Sequence, residues 1–317
     1  MKRLALSLFI LFLPFIVLNW LFAVAEFDFG KTNRISQFRA MPEGIVLANT
    51  GSSHGQFSFN YTDFAPLRTF NFGLPAQSLL YDRNLLRQFA PRFAPGSVVL
   101  VPVSYFEVSA IVEEHLLESY RARYFRLLDR ANIDRCDNLA TYVKYRYLPS
   151  LMAKHPFRTI VQNLRPENVL PEEGGGVPQF SDKTAAEQYE NLAFTKKTFD
   201  NNFRESGAEG AAYNKALLRN ITALCLSHGI TPVLVTTPLT TMYNDLYEAA
   251  GFFPAFEQFK ADVLAANPGT AWLDYSHDAA FTEDYALFFD GDHMNDEGAA
   301  AMTRRILSDL RERRILD

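Results

Sequence analysis

The chain opens with one long apolar stretch and then changes to short apolar runs separated by mixed segments. No charged residue occurs from Leu4 to Ala25, a run of 22 residues that would span roughly 30 Å as a helix, the thickness of a bilayer core. The next run, Ile45-Val46-Leu47-Ala48, is far shorter and breaks into Asn49-Thr50-Gly51-Ser52-Ser53-His54-Gly55. It predicts a buried strand running into a Gly/Ser turn. Thr69–Phe72, stopped by Gly73, predicts a second strand, and Ser97–Val103 a third. Ile230–Thr237, ended by Pro238, predicts the fourth, and Ala271–Asp274 the fifth.

Helical patterns lie between most of these runs. They cover Gln77 to Phe89, then Glu209 to His228 with Gly229 as the stop, and finally a stretch from Asn295 whose arginines collect towards its C-terminus. Short, apolar, non-alternating strands separated by helices predict an α/β domain with a central parallel sheet covered on both faces. Residues 108–208 break this rhythm. They are rich in Arg, Tyr and Phe, as in Tyr120–Arg126, and contain the loop Pro171–Gly176. They predict a mostly helical insertion, with the Arg121–Arg126 cations on a solvated helix face. The predicted organisation is a membrane segment over 1–25, a polar linker over 26–43, and a domain over 44–317 with the insertion at about 108–208.

Lys2 and Arg3 precede the apolar segment, so the positive-inside bias leaves them in the cytoplasm and the rest of the chain outside. The alternative is a cleaved signal, since Ala23-Val24-Ala25 has the small-x-small pattern of a cleavage site. A retained anchor is favoured by the length of the run and by Trp20 near its distal end. Both readings put the domain on the far side of the membrane, in a periplasm or at a cell surface.

Composition narrows the possible functions. The 317 residues are 48% hydrophobic and 21% charged, with net charge −5. That is globular composition without the overall basic balance of a nucleic-acid binder. Cys136 and Cys225 are too few for a disulfide framework or a zinc site. Cys225 reads as a packing residue on a buried helix face; a Cys136–Cys225 disulfide is the alternative. No phosphate loop or paired metal-ligand spacing is visible, so no cofactor or metal is expected.

In open parallel sheets, sites form at the carboxyl ends of strands. Those ends deliver Ser52, Ser53 and His54; Asn71 and Gly73; Ser104 and Glu107; Thr236, Thr237 and Thr240; and, after the fifth strand, Asp274, His277, Asp290 and His293. A serine becomes a nucleophile when a base takes its proton and a carboxylate orients that base. His115, His155 and His228 lie in helical or insertion sequence. His54 adjoins Ser53, but neighbours on a turn usually point apart. Two Asp-x-x-His pairs remain, Asp274/His277 and Asp290/His293, and the second sits on a glycine-bearing loop that leads into a helix.

The blocks Gly51-Ser52-Ser53, Asn71-Phe72-Gly73 and Asp290-x-x-His293 followed by Gly298 occur in the order found in SGNH (GDSL-like) hydrolases. The chain resembles that family from Ile45 to Leu316, outside the insertion. It is similar to membrane-anchored branches that serve D-alanyl transfer and cell-surface polysaccharides. The resemblance implies a flavodoxin-like three-layer fold with Ser53 as nucleophile, His293 as base and Asp290 as orienting acid. It also implies oxyanion donation by the Ser53 and Gly73 amides. The third block departs from the family: Val103-Ser104-Tyr105-Phe106-Glu107 lacks the expected Asn, and Ser104 is the substitute donor.

The implied activity is an extracytoplasmic O-acyltransferase or esterase acting on cell-envelope polysaccharide through acyl-Ser53, with transfer favoured. The implied partners are the glycan or its acylated form, an integral-membrane acyltransferase, and the membrane through residues 4–25. The alternative is a non-catalytic envelope protein that binds polysaccharide or scaffolds an acylation or export complex.

Overall fold

A computed structural model describes residues 2–30, 32–111, 118–134, 136, 138–165, 187, 190 and 207–316. His115 and the Pro171–Gly176 loop lie outside the described residues. The chain divides into two compact units. One comprises Met1–Met41 with Leu116–Glu172, and the other Pro42–His115 with Glu173–Asp317.

The larger unit is an α/β fold of the flavodoxin-like type. Its strands are β1 (Ile45–Asn49), β2 (Thr69–Asn71), β3 (Phe93–Pro102), β4 (Thr231–Thr236) and β5 (Ala271–Asp274). They form one sheet in the order β2-β1-β3-β4-β5, and every pairing is parallel. The helices, numbered along the whole chain, are α1 (Lys2–Val24), α2 (Ser53–Phe57), α3 (Leu79–Phe89), α4 (Glu118–Leu127), α5 (Leu139–Tyr147), α6 (Pro156–Asn163), α7 (Gly207–Ser227), α8 (Thr241–Ala249), α9 (Phe253–Ala266), α10 (Ala279–Thr282) and α11 (Asp296–Glu312).

Alternate residues of a strand face opposite sides of the sheet. In β3, Val99 and Val101 pack with Leu80 of α3, Leu218 and Ile221 of α7 and Phe256 of α9. Val98 and Leu100 face the other way, onto Met302, Ile306 and Leu310 of α11. Both faces are therefore dry, which is why the strands read as continuous apolar runs rather than alternating ones. The strands and helices read from the sequence match these elements to within a few residues. The turn ending α7 has Gly229 at φ +69°, the left-handed conformation that suits glycine. Cys225 is buried in this core, and both cysteines are free thiols.

The smaller unit contains α1, α4, α5 and α6. By length and composition, the helix through Ile10–Phe29 is the one candidate membrane span among the described residues. Within 26–43 the described residues include a π-helical turn over Ala25–Phe29 and a 3-10 turn over Ser36–Ala40, with Phe27, Ile35 and Met41 buried. The solvated face expected for Arg121–Arg126 is corrected at Arg123, whose side chain is fully buried. Its Nη1 donates to the Thr32 carbonyl at 3.1 Å and its Nη2 to the Tyr124 hydroxyl at 2.8 Å, and its guanidinium lies over the Tyr124 ring. These partners offset the cost of removing the cation from water.

Candidate active site

The site lies where the strand order reverses, between β1 and β3, at the carboxyl ends of the strands. The chain leaves β1 through Gly51, whose φ of +111° disfavours any L side chain. A Cβ there would also stand 2.9 Å from Cγ of Pro102. The Gly51 N–H donates to Asp82 at 3.0 Å, and Ser52 caps α2 by accepting the His54 N–H. This sharp turn makes Ser53 the first residue of α2.

Asn49 and Asn71 fasten the turn from behind. Asn49 Nδ2 donates to Asn71 Oδ1 at 2.9 Å and to the Gly55 carbonyl at 2.9 Å. Asn71 Nδ2 reaches the carbonyls of Gln56 at 3.0 Å and Phe59 at 3.1 Å.

The loop before α11 delivers the other half. Asp290 Oδ1 accepts the backbone N–H of Asp292 at 3.0 Å and of His293 at 2.7 Å. Thr240, the N-cap of α8, donates its hydroxyl to the Gly291 carbonyl at 2.6 Å, and Asn295 caps α11. The imidazole is then held from both ends. Asp290 Oδ2 lies 2.9 Å from His293 Nδ1, and Ser53 Oγ lies 2.8 Å from His293 Nε2. With Nδ1–H donated to the carboxylate, Nε2 presents its lone pair to the Ser53 hydroxyl. Phe289 stacks parallel to the imidazole at 5.4 Å, and Phe57 meets it edge-on at 5.6 Å.

A second imidazole completes the arrangement. His54 is buried; its Nδ1 lies 2.7 Å from Ser104 Oγ and its Nε2 3.4 Å from Asp292 Oδ2. The other oxygen of Asp292 lies 3.4 Å from His293 Nδ1. Burial pulls the His293 pKa down, but the charges of Asp292 and Asp290 and the Asp290 hydrogen bond outweigh it, and the imidazole is pushed up to about 9. For Asp292, burial acts upwards, yet His293 and His54 hold its carboxyl well below the usual range.

The remaining sequence-selected residues fall as follows. The Gly73 N–H donates to Asn71 Oδ1 at 2.8 Å, and a Cβ on Gly73 would stand 2.5 Å from the Gln56 nitrogen. Ser104 begins a 3-10 turn over Tyr105–Val108, where its side chain accepts the Glu107 N–H and Glu107 accepts the Ser104 N–H at 2.5 Å. With a neutral imidazole whose Nε2–H faces Asp292, the Ser104 hydroxyl donates to His54 Nδ1. Of the two oxyanion donors expected beside the Ser53 amide, the Gly73 N–H is engaged in closing the Asn71 turn, and the Ser104 hydroxyl lies against His54 Nδ1. Asp274 accepts from Ser276 at 2.6 Å and pairs with Lys260 at 2.9 Å, while His277 packs against Phe253.

Sequence reasoning set His54 aside and passed over Asp292. Adjacent residues do point apart on this turn, but the Asp290–His293 loop is broad enough to contact both. The signal available was the second acid in Asp290-x-Asp292-His293. His54, Asp292 and His293 also form a group whose donor atoms lie within 4.8 Å of one another, the spacing a metal ion would need. An ion there would compete for nitrogens that already have partners.

No family model matches this chain, and no curated protein matches it. Among solved structures, it is similar to the crystal structure of protein YxiM from Bacillus subtilis, at 14% identity and a TM-score of 0.41. The match covers 86% of this chain and 57% of that one, so this chain spans little more than half the length of that protein.

Proposed function

We propose that this protein is a serine-dependent acyl-ester enzyme of the SGNH type. The observation that carries the proposal is the contact of Ser53 Oγ with His293 Nε2 at 2.8 Å, with Asp290 on the opposite nitrogen. Ser53 Oγ attacks the acyl carbonyl and its proton passes to His293 Nε2. Asp290 keeps the Nδ1–H in place and stabilises the imidazolium. The Ser53 amide, first in α2 and without an intrahelical acceptor, donates to the oxyanion. Collapse expels the alcohol oxygen, which takes the proton from His293 and leaves acyl-Ser53. In the second half, water or an acceptor hydroxyl gives its proton to His293 and attacks the acyl carbon; collapse breaks the acyl–Oγ bond, and Ser53 Oγ takes that proton back from His293.

The acceptor we favour is a hydroxyl of a cell-envelope glycan. An anchored domain on the outer side of a membrane is suited to receive acyl groups from an integral-membrane partner. The engagement of Gly73 and Ser104 leaves few oxyanion donors, which suits slow, committed transfer better than rapid hydrolysis. One such donor is typically worth about 10²–10³ in rate.

A fluorophosphonate probe tests the chemistry. It should label the wild-type protein and fail on a folded Ser53→Ala variant. A folded wild type that never labels would remove the nucleophile assignment. Adding an oligosaccharide to a chromogenic-ester assay should divert the acyl group onto sugar; rapid ester cleavage with no acylated sugar would replace transfer with hydrolysis.

A further inference from the structure

Residues 138–165 contain Lys144, Arg146, Lys154, Arg158 and Arg165 and no Asp or Glu, in a chain whose net charge is −5. The two helices of this segment also expose apolar side chains at helical spacing. Leu139, Val143 and Tyr147 follow one face of α5, and Phe157 and Val161 one face of α6, with Leu164 exposed at its C-cap. Phe157 is 69% exposed and Leu139 58%. Arg158 and Arg165 each follow an apolar position by one residue, so a basic stripe borders the apolar one. An apolar face with a cationic flank is the pattern of helices that lie in a membrane interface.

The fold fixes the depth of this surface within the smaller unit. Asn19 of α1 donates to the Tyr147 carbonyl at 2.6 Å and accepts from the Ser150 hydroxyl at 2.9 Å and the Ser150 N–H at 3.2 Å. These bonds also satisfy the amide side chain of an otherwise apolar helix. Asn163, at the end of α6, donates to Glu26 at 2.8 Å. Asn19 stands six residues before Ala25, about 9 Å along a helix. If the span is the uncharged run over residues 4–25, the end of α5 is pinned about 9 Å inside its distal boundary, within the depth an interfacial helix reaches, and the end of α6 just beyond that boundary. A cavity of about 350 Å³ adjoins the same junction, lined by Trp20, Arg126 and Arg146 among others. Among the described residues neither arginine pairs with a carboxylate; both donate to backbone carbonyls.

We propose that α5 and α6 form a foot that lies in the interface of the membrane α1 crosses. Their apolar faces enter the acyl boundary and their cations meet anionic lipid headgroups. The inference rests on the reading of α1 as a retained span, and it adds residues 139–165 to the membrane contact.

The test uses the full chain in vesicles of phosphatidylethanolamine and phosphatidylglycerol. In a Cys136→Ser background, Val143→Cys and Phe157→Cys each carry a polarity-sensitive fluorophore. Leu13→Cys reports on the span, and Leu226→Cys, exposed on α7 in the other unit, serves as the control. A lipid spin-labelled near the headgroup should quench the labels at 143 and 157 and spare the one at 226. A lipid labelled deep in the chain should quench the label at 13. Unquenched labels at 143 and 157 overturn the foot; quenching at 13 in the same samples then shows that the span itself stands, and its loss shows that both fall. Quenching at 226 equal to that at 157 also overturns the foot. Replacing phosphatidylglycerol with phosphatidylcholine should weaken quenching at 157, and an unchanged signal overturns the anionic-lipid assignment.

Discussion

His54 and His293 meet edge to face with ring centroids 5.2 Å apart, and Asp292 lies between them with one oxygen 3.4 Å from each imidazole. The base proposed for Ser53 therefore has two carboxylate neighbours. Asp290 sits in line on Nδ1, and Asp292 is shared with a second histidine.

Ser53→Ala should abolish acyl-enzyme formation, His293→Gln should lower turnover by roughly 10⁴–10⁶, and residual turnover of the double variant should be little worse than that of either, because groups acting as a unit are non-additive. Burst amplitude with an activated ester measures this. His277→Gln, whose imidazole packs on Phe253, should change the rate little. A large loss there, with His293→Gln active, would move the base.

Labelling by the fluorophosphonate should speed up as pH rises towards and through about 9, because His293 must be neutral to accept the Ser53 proton. Stability runs in the opposite sense. The raised pKa contributes stability that is fully present below the unfolded histidine value of about 6.5, and that contribution is lost as pH rises through about 9. A rate midpoint near 6.5 would show that the two carboxylates do not outweigh the burial of this imidazole.

The two acids should separate by substitution. Asp290→Asn removes the in-line acceptor of Nδ1–H and should cost roughly 10⁴ in rate, as loss of a triad carboxylate typically does. Asp292→Asn leaves that bond in place, so it should lower the pH midpoint with a rate loss of less than about tenfold at high pH. Equal losses in the two variants would contradict the assignment of Asp290 as the orienting acid.

Gly51→Ala should destabilise the larger unit by about 2–4 kcal/mol, since alanine would be strained at φ +111° and its Cβ would press on Pro102. Thermal unfolding compared with Gly96→Ala, where φ is also positive but a Cβ has open space, separates clash from backbone strain. Equal effects would remove the clash from the account.

Full-length protein should stay in membranes after alkaline carbonate extraction, with Met1–Ala25 intact. In the fold Ala23 and Ala25 are buried, an unfavourable setting for cleavage. A mature N-terminus at Glu26 would show that the segment is removed.

The sequence alone determined the sheet, the turn after β1 and the Asp290–His293 loop, because each depends on neighbours a few residues apart. Strands buried on both faces must be continuously apolar, a turn at φ +111° favours glycine, and an Asp-x-x-His loop can close its own hydrogen bonds. Only the tertiary structure decided which distant groups meet. Ser53 and His293 are 240 positions apart and touch because β1 lies beside β3 and the loop before α11 docks on the N-cap of α8. The same long-range packing gave Ser104 to His54, Gly73 to Asn71 and Arg123 to the Thr32 carbonyl. Residue type declares that a hydroxyl, an amide or a guanidinium needs a partner, whereas the choice among partners is made by the packing that brings them together.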